Sequence, residues 1–108
     1  LGQARALGLA LTGEPLPADR AAEWGLIWKA VEDEALDAEV DAIASKLASL
    51  PPLGLAAIKD MIRTSWQYSL DEELERQAGA MRRLGFTEDY REGVASFLEK
   101  RTPSFTGR

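Results

Sequence analysis

Apolar residues along this chain recur mainly at the three- and four-residue spacing of a helix face, seldom at the alternation of a strand. In "GQARALGLALTG", Ala4, Leu7, Ala10 and Leu11 fall together, and Gly13 stands where a left-handed stop is expected. "EPLPAD" reads as a turn-rich connection, with Pro17 acceptable in a first helical turn. A short helix over "ADRAAEW" follows and stops at Gly25. "LIWKAV" is apolar and partly β-branched but only six residues long, so it is expected as a short strand or extended link.

The pattern sharpens in the second part of the chain. From Glu34 to Leu50 the apolar positions are Leu36, Val40, Ile43, Leu47 and Leu50, a narrow seam with Asp37, Glu39, Asp41 and Lys46 off it. Pro51 and Pro52 must end that helix, because proline cannot continue the hydrogen-bond ladder. A fourth helix from about Pro52 is expected to bury Leu55, Ile58, Met61, Ile62 and Trp66. Ser69 and Glu72 have capping-box spacing, and the helix they open carries Leu70, Leu74, Ala78, Met81 and Leu84. Gly85 is expected to break it. Thr87 can then cap a sixth helix over "EDYREGVASFLEKR", with Tyr90, Val94, Phe97 and Leu98 on one face. Glu88 and Asp89 suit the positive end of its dipole, and Lys100 and Arg101 the negative end.

The fold class expected is therefore all-α, with at most one short strand. Hydrophobic residues make up 45% of the 108 and charged residues 29%, a globular balance. The net charge of -5 makes nucleic acid an improbable partner. No apolar run reaches the roughly 20 residues of a membrane helix, and the first residues lack a signal-peptide pattern, so a cytoplasmic protein is expected. Cysteine and histidine are both absent. That excludes disulfides, Cys- or His-based metal sites and any Ser-His or Cys-His pair, so no metal site is expected.

Read without further context, no active site declares itself. "DEELE" could pair carboxylates for acid–base work, but it also suits a solvated first helical turn. Trp24 and Trp28 flank a glycine turn and read as core or interface anchors. Phe97 and Lys100 are three apart, the spacing of adjacent turns on one helix face. Such a pair could hold a flat base and a phosphate. From spacing alone the commoner case is a buried ring beside a lysine that completes a helix C-terminus.

"ALTGEPLPADRAAEWGLIWKAVED" and "DYREGVASFLEKRTPSFTGR" together resemble the C-terminal part of the enoyl-CoA hydratase/isomerase family, the crotonase superfamily. Within it, "EWGLIWKAVEDEAL" and the "DYREGV", "FL", "KR" and "FTG" of the ending are most similar to the branch that isomerises ring epoxides of aromatic acyl-CoA thioesters in phenylacetate degradation. The resemblance implies a C-terminal fragment of a longer enzyme, inactive alone, whose oxyanion donors and catalytic carboxylates lie before Leu1. It implies residues 1–33 packing on a spiral core, and residues 34–108 forming an oligomerisation and CoA-covering region, trimeric or a dimer of trimers. It also implies that Phe97 and Lys100 serve the adenine and 3′-phosphate end of CoA, with Lys59 a weaker candidate. CoA would be part of the substrate, and no separate cofactor is implied. The tail "TPSFTGR" would be a surface arm docking on the body or a neighbour. Pro17 departs from the family pattern, where a Ser or Thr often caps the second helix. Two rivals stay open: a 2-enoyl-CoA hydratase of the same superfamily, and a stand-alone helical interaction module.

Overall fold

The computed structural model describes all 108 residues, as six α-helices with no strand. The helices are α1 (Gln3–Thr12), α2 (Ala18–Glu23), α3 (Leu36–Ala48), α4 (Pro52–Thr64), α5 (Leu70–Leu84) and α6 (Glu88–Glu99). Single 3₁₀ turns, Asp33–Ala35 and Ser65–Gln67, precede α3 and follow α4. The chain divides within α3 into two compact units, Leu1–Asp41 and Ala42–Arg108.

In the first unit, Gly13 ends α1 at φ 63°, its N–H donating to the Leu9 carbonyl. Pro17 precedes α2 and offers no side-chain cap, as its chemistry requires. Residues 26–31 correct the strand expectation. Residues 26–28 form a bend after Gly25 (φ 74°), with the Leu26 and Ile27 N–H groups donating to the Ala21 carbonyl, and residues 29–31 run on as a link without regular structure. Those donors are spent locally, and no neighbouring strand exists to pair with. Lys29 Nζ lies 2.7 Å from Glu39 Oε1, tying this link to the start of α3.

In the second unit, α4 packs against α5. Arg76 of α5 organises that contact. Its guanidinium lies 3.0 Å from Asp60 Oδ2, 3.5 Å from Glu73 Oε2 and 3.9 Å from the centre of the Tyr68 ring. The capping box at the start of α5 is present as expected. The Ser69 hydroxyl accepts from the Glu72 N–H, and Glu72 Oε2 accepts from the Ser69 N–H at 2.8 Å. Donation from the Ser69 N–H, and then from the Ser69 hydroxyl at 2.7 Å, holds the Glu72 carboxyl below its ordinary pKa. Gly85 does follow the last turn of α5, yet at φ -62°. It ends the helix without using glycine's left-handed freedom.

The apolar faces are placed as the periodicity predicts, but they are not buried. Only Ala21 and Ala80 are buried hydrophobic residues, and no side chain is fully enclosed. Ile58 and Ile62 of α4 are exposed, and Trp66 is 95% exposed, which corrects the expected buried side of that helix. Trp28 is 90% exposed and belongs to no core, whereas Trp24 is half-buried with the Arg5 guanidinium 5.1 Å above its ring. The α3 seam from Leu36 to Leu47 is also open to solvent. Periodicity reports that a face is apolar; it does not report what covers it. Helices with so little enclosed surface need another surface for much of their stability. No helix is long and apolar enough to cross a membrane.

Candidate functional site

The residues with most to do chemically lie on α6 and the segment after it. Thr87 opens the helix, its hydroxyl accepting from the Tyr90 N–H at 3.1 Å. The Arg108 carbonyl takes the N–H groups of Glu88 at 2.7 Å and Asp89 at 3.2 Å. Donors that a helix N-terminus normally leaves to water are thus satisfied by the chain's own last residue.

Residues 101–108 run back along α6 as an extended strap. A 12-residue helix is about 18 Å long, within reach of eight extended residues. Two carboxylates of α6 hold the strap. Asp89, which is buried, accepts from the Thr106 N–H at 2.7 Å and the Gly107 N–H at 2.9 Å. Glu92 accepts from the Ser104 N–H at 2.8 Å and takes the Arg101 guanidinium at both oxygens, at 2.6 and 2.8 Å. The Arg101 contacts, with the Ser104 bond second, pull the Glu92 carboxyl down to about 2 and push the guanidinium above its ordinary value. A Cβ added at Gly93 would meet the Phe105 ring at 3.8 Å, and one at Gly107 (φ 78°) would stand 2.9 Å from Pro52 Cγ. The tail docks, as expected, and its dock is α6 and the start of α4.

Between α4, α6 and the strap lies an open cleft of about 530 Å³. Leu53, Leu84, Val94, Phe97, Leu98 and Phe105 line it, with Asp89 and Thr87 its polar edge. Phe97 is 82% exposed at this cleft, so it is not the buried ring that spacing alone allowed.

Lys100 corrects the expected helix end. α6 stops at Glu99, and Lys100 adopts φ 54°, ψ 41°, the only non-glycine residue of the chain with positive φ. Its N–H donates to the Phe97 carbonyl and the Arg101 N–H to the Ser96 carbonyl, the paired bonds of a Schellman turn. Lys100 and Phe97 are therefore neighbours through a turn, not through stacked helical turns. Lys100 is exposed and makes no ion pair. Lys59 is likewise exposed and unpaired on α4, and neither lysine lines the cleft that Phe97 enters. The structure links Lys100 to Phe97 by a backbone bond in the turn and places no cation over the Phe97 ring, neither Lys100 nor Lys59. Glu92 was not among the expected site residues, and Asp89 was expected only as a partner of the helix dipole. "DYREG" carried both carboxylates, but nothing local marked them as acceptors for a distant tail.

The family model for enoyl-CoA hydratase/isomerase matches residues 1–108, the whole chain. The chain belongs to this family. It is 46% identical over 107 residues to a 1,2-epoxyphenylacetyl-CoA isomerase of Escherichia coli K12, covering 99% of this chain and 41% of that protein. It is 43% identical over 108 residues to a probable enoyl-CoA hydratase of Rhodobacter capsulatus, covering all of this chain and 42% of that protein. Among solved structures, an enoyl-CoA hydratase from Bacillus anthracis superposes with a TM-score of 0.93 at 34% identity, over 99% of this chain and 42% of the other. The chain thus spans about two fifths of the length of the family members it matches. What it shares with them is an all-helical region of the family fold.

Proposed function

We propose that the polypeptide carrying these residues is an acyl-CoA enzyme of the hydratase/isomerase family, with 1,2-epoxyphenylacetyl-CoA isomerisation as its reaction. The 46% identity to an isomerase of that name supports this choice over hydration of a 2-enoyl-CoA. In this reading a thioester enolate is held by backbone N–H donors and a carboxylate moves the proton, with both supplied outside residues 1–108. The ring epoxide opens to its oxepin isomer, so no atom is gained or lost. The helices described here serve assembly into a trimer or dimer of trimers, in the cytoplasm, and the binding of CoA.

One observation carries the CoA reading: an exposed aromatic ring, Phe97, stands at an apolar cleft three residues from an unpaired lysine. The ring would support adenine and the Lys100 ammonium would neutralise the 3′-phosphate. Lys59 would add a second, more distant positive charge. The test is steady-state kinetics on the native polypeptide with the epoxide thioester and with a 2-enoyl-CoA. Lys100→Ala and Phe97→Ala should each raise KM for the acyl-CoA several-fold. An unchanged KM in both variants would remove the CoA role from this site, and faster hydration than isomerisation would make the enzyme a hydratase.

A further inference from the structure

The least expected feature of the chain is a lysine in a left-handed turn. That conformation costs a non-glycine residue roughly 1–2 kcal/mol, and such strain persists only where the surroundings over-determine it. Here the surroundings are explicit. The Schellman bonds fix the N–H groups of Lys100 and Arg101. Arg101 is then gripped by Glu92 at 2.6 and 2.8 Å and by Glu99 at 2.6 Å from its Nε. Glu92 also fixes Ser104, so the residues immediately before and after Lys100, and the strap beyond, are all tied back to α6. Lys100 itself, at the centre of these ties, has no partner for its ammonium.

A turn needed only to end the helix would be better served by glycine. The lysine that stands there instead has its backbone clamped and its exposed ammonium free of any ion pair. We propose that Glu92 is a positioning residue for ligand binding: through its bidentate grip on Arg101 it holds the Lys100 turn left-handed and presents the Lys100 ammonium to the 3′-phosphate of CoA. This inference rests on the CoA reading of Lys100 given above. It adds that affinity depends on a carboxylate that never touches the ligand and carries the wrong charge to do so. The low pKa of Glu92 keeps the grip ionised at any pH at which the protein is assayed.

The test compares Glu92→Ala with Lys100→Ala in the native polypeptide, using an acyl-CoA and the same thioester of 3′-dephospho-CoA. Losing the grip lowers the fraction of molecules with Lys100 poised, and apparent affinity falls in proportion. Glu92→Ala should therefore raise KM for the acyl-CoA about three- to tenfold, KM rather than kcat carrying the change. KM for the dephospho substrate should stay where it was, and the double variant should be no worse than Lys100→Ala. Arg101→Gln, which removes the fork from the other side, should repeat the pattern and serves if Glu92→Ala does not fold. A KM shift equal for both substrates would reduce Glu92 to a general structural role and overturn the proposal. So would a Glu92→Ala variant with normal KM beside a Lys100→Ala variant with a raised one; that outcome leaves the CoA reading standing. If Lys100→Ala itself binds normally, both fall together.

Discussion

The hold of Asp89 on the strap is the most exposed claim of the structure to a single substitution. Asp89 is buried and accepts two backbone N–H groups, from Thr106 and Gly107. Hydrogen bonds to a charged group contribute about 1.5–3 kcal/mol each. Asp89→Ala removes both, so the free energy of lifting residues 104–108 off α6 should fall by at least about 3 kcal/mol. That corresponds to exchange on the order of 100-fold faster at those amides, if they exchange by local opening. Asp89→Asn should do nearly as much damage, since its NH₂ would face one of the two N–H donors. The assay is amide hydrogen exchange on the native polypeptide, read at Thr106 and Gly107 and, as a control, at the α4 and α5 amides. Unchanged protection at Thr106 and Gly107 in Asp89→Ala would refute the role of Asp89 as the strap's anchor. It is also refuted if α4 and α5 lose protection equally, for then the strap is not a separately opening element.

Ser69→Ala breaks the reciprocal cap of α5 and should cost about 1 kcal/mol in a denaturant titration. Glu92 has a folded pKa of about 2, below its ordinary value, so its stabilisation is complete above roughly pH 4.5 and is lost as pH falls toward 2. Protection at the Ser104 amide measured across that window should decline in the wild type, and Glu92→Ala should lack it throughout. Trp28 and Trp66 are 90% and 95% exposed, so their fluorescence in the isolated 108 residues should be red-shifted and readily quenched by iodide. Shielding of both in the native assembly would show that other protein surface covers these faces.

Most of the helices could be read directly from the chain, because their signals act over three or four residues. The Gly13 stop, the Ser69–Glu72 box and the Thr87 cap all stand where spacing predicts. Residues 26–31 take the link rather than the strand, two forms that an apolar, partly β-branched run leaves open until it is known whether a partner strand exists. Gly25 and the Ala21 carbonyl decide it by bending the chain locally. The expected burial of Ile58, Ile62 and Trp66 failed for a different reason. A hydrophobic face states a demand for cover, and within these residues nothing meets that demand.

The candidate site divides along the same line. Phe97 and Lys100 were identifiable as a pair from their spacing and resemblance. Their geometry was not, since a lysine three residues beyond a phenylalanine reads as one more helical turn. α6 ends at Glu99 in the paired Lys100–Phe97 and Arg101–Ser96 backbone bonds, and groups further apart then hold the tail: Arg101 to Glu92 across 9 residues, Ser104 to Glu92 across 12, and Thr106 and Gly107 to Asp89 across 17 and 18. The sequence by itself determined where helices start, where most of them stop and which faces are apolar, because those follow from backbone hydrogen bonding and side-chain period over single turns. The tertiary structure alone decided that the tail folds back and that two α6 carboxylates become its anchors. Each depends on donors and acceptors that local sequence cannot pair, because their proximity exists only once the chain has reversed on itself.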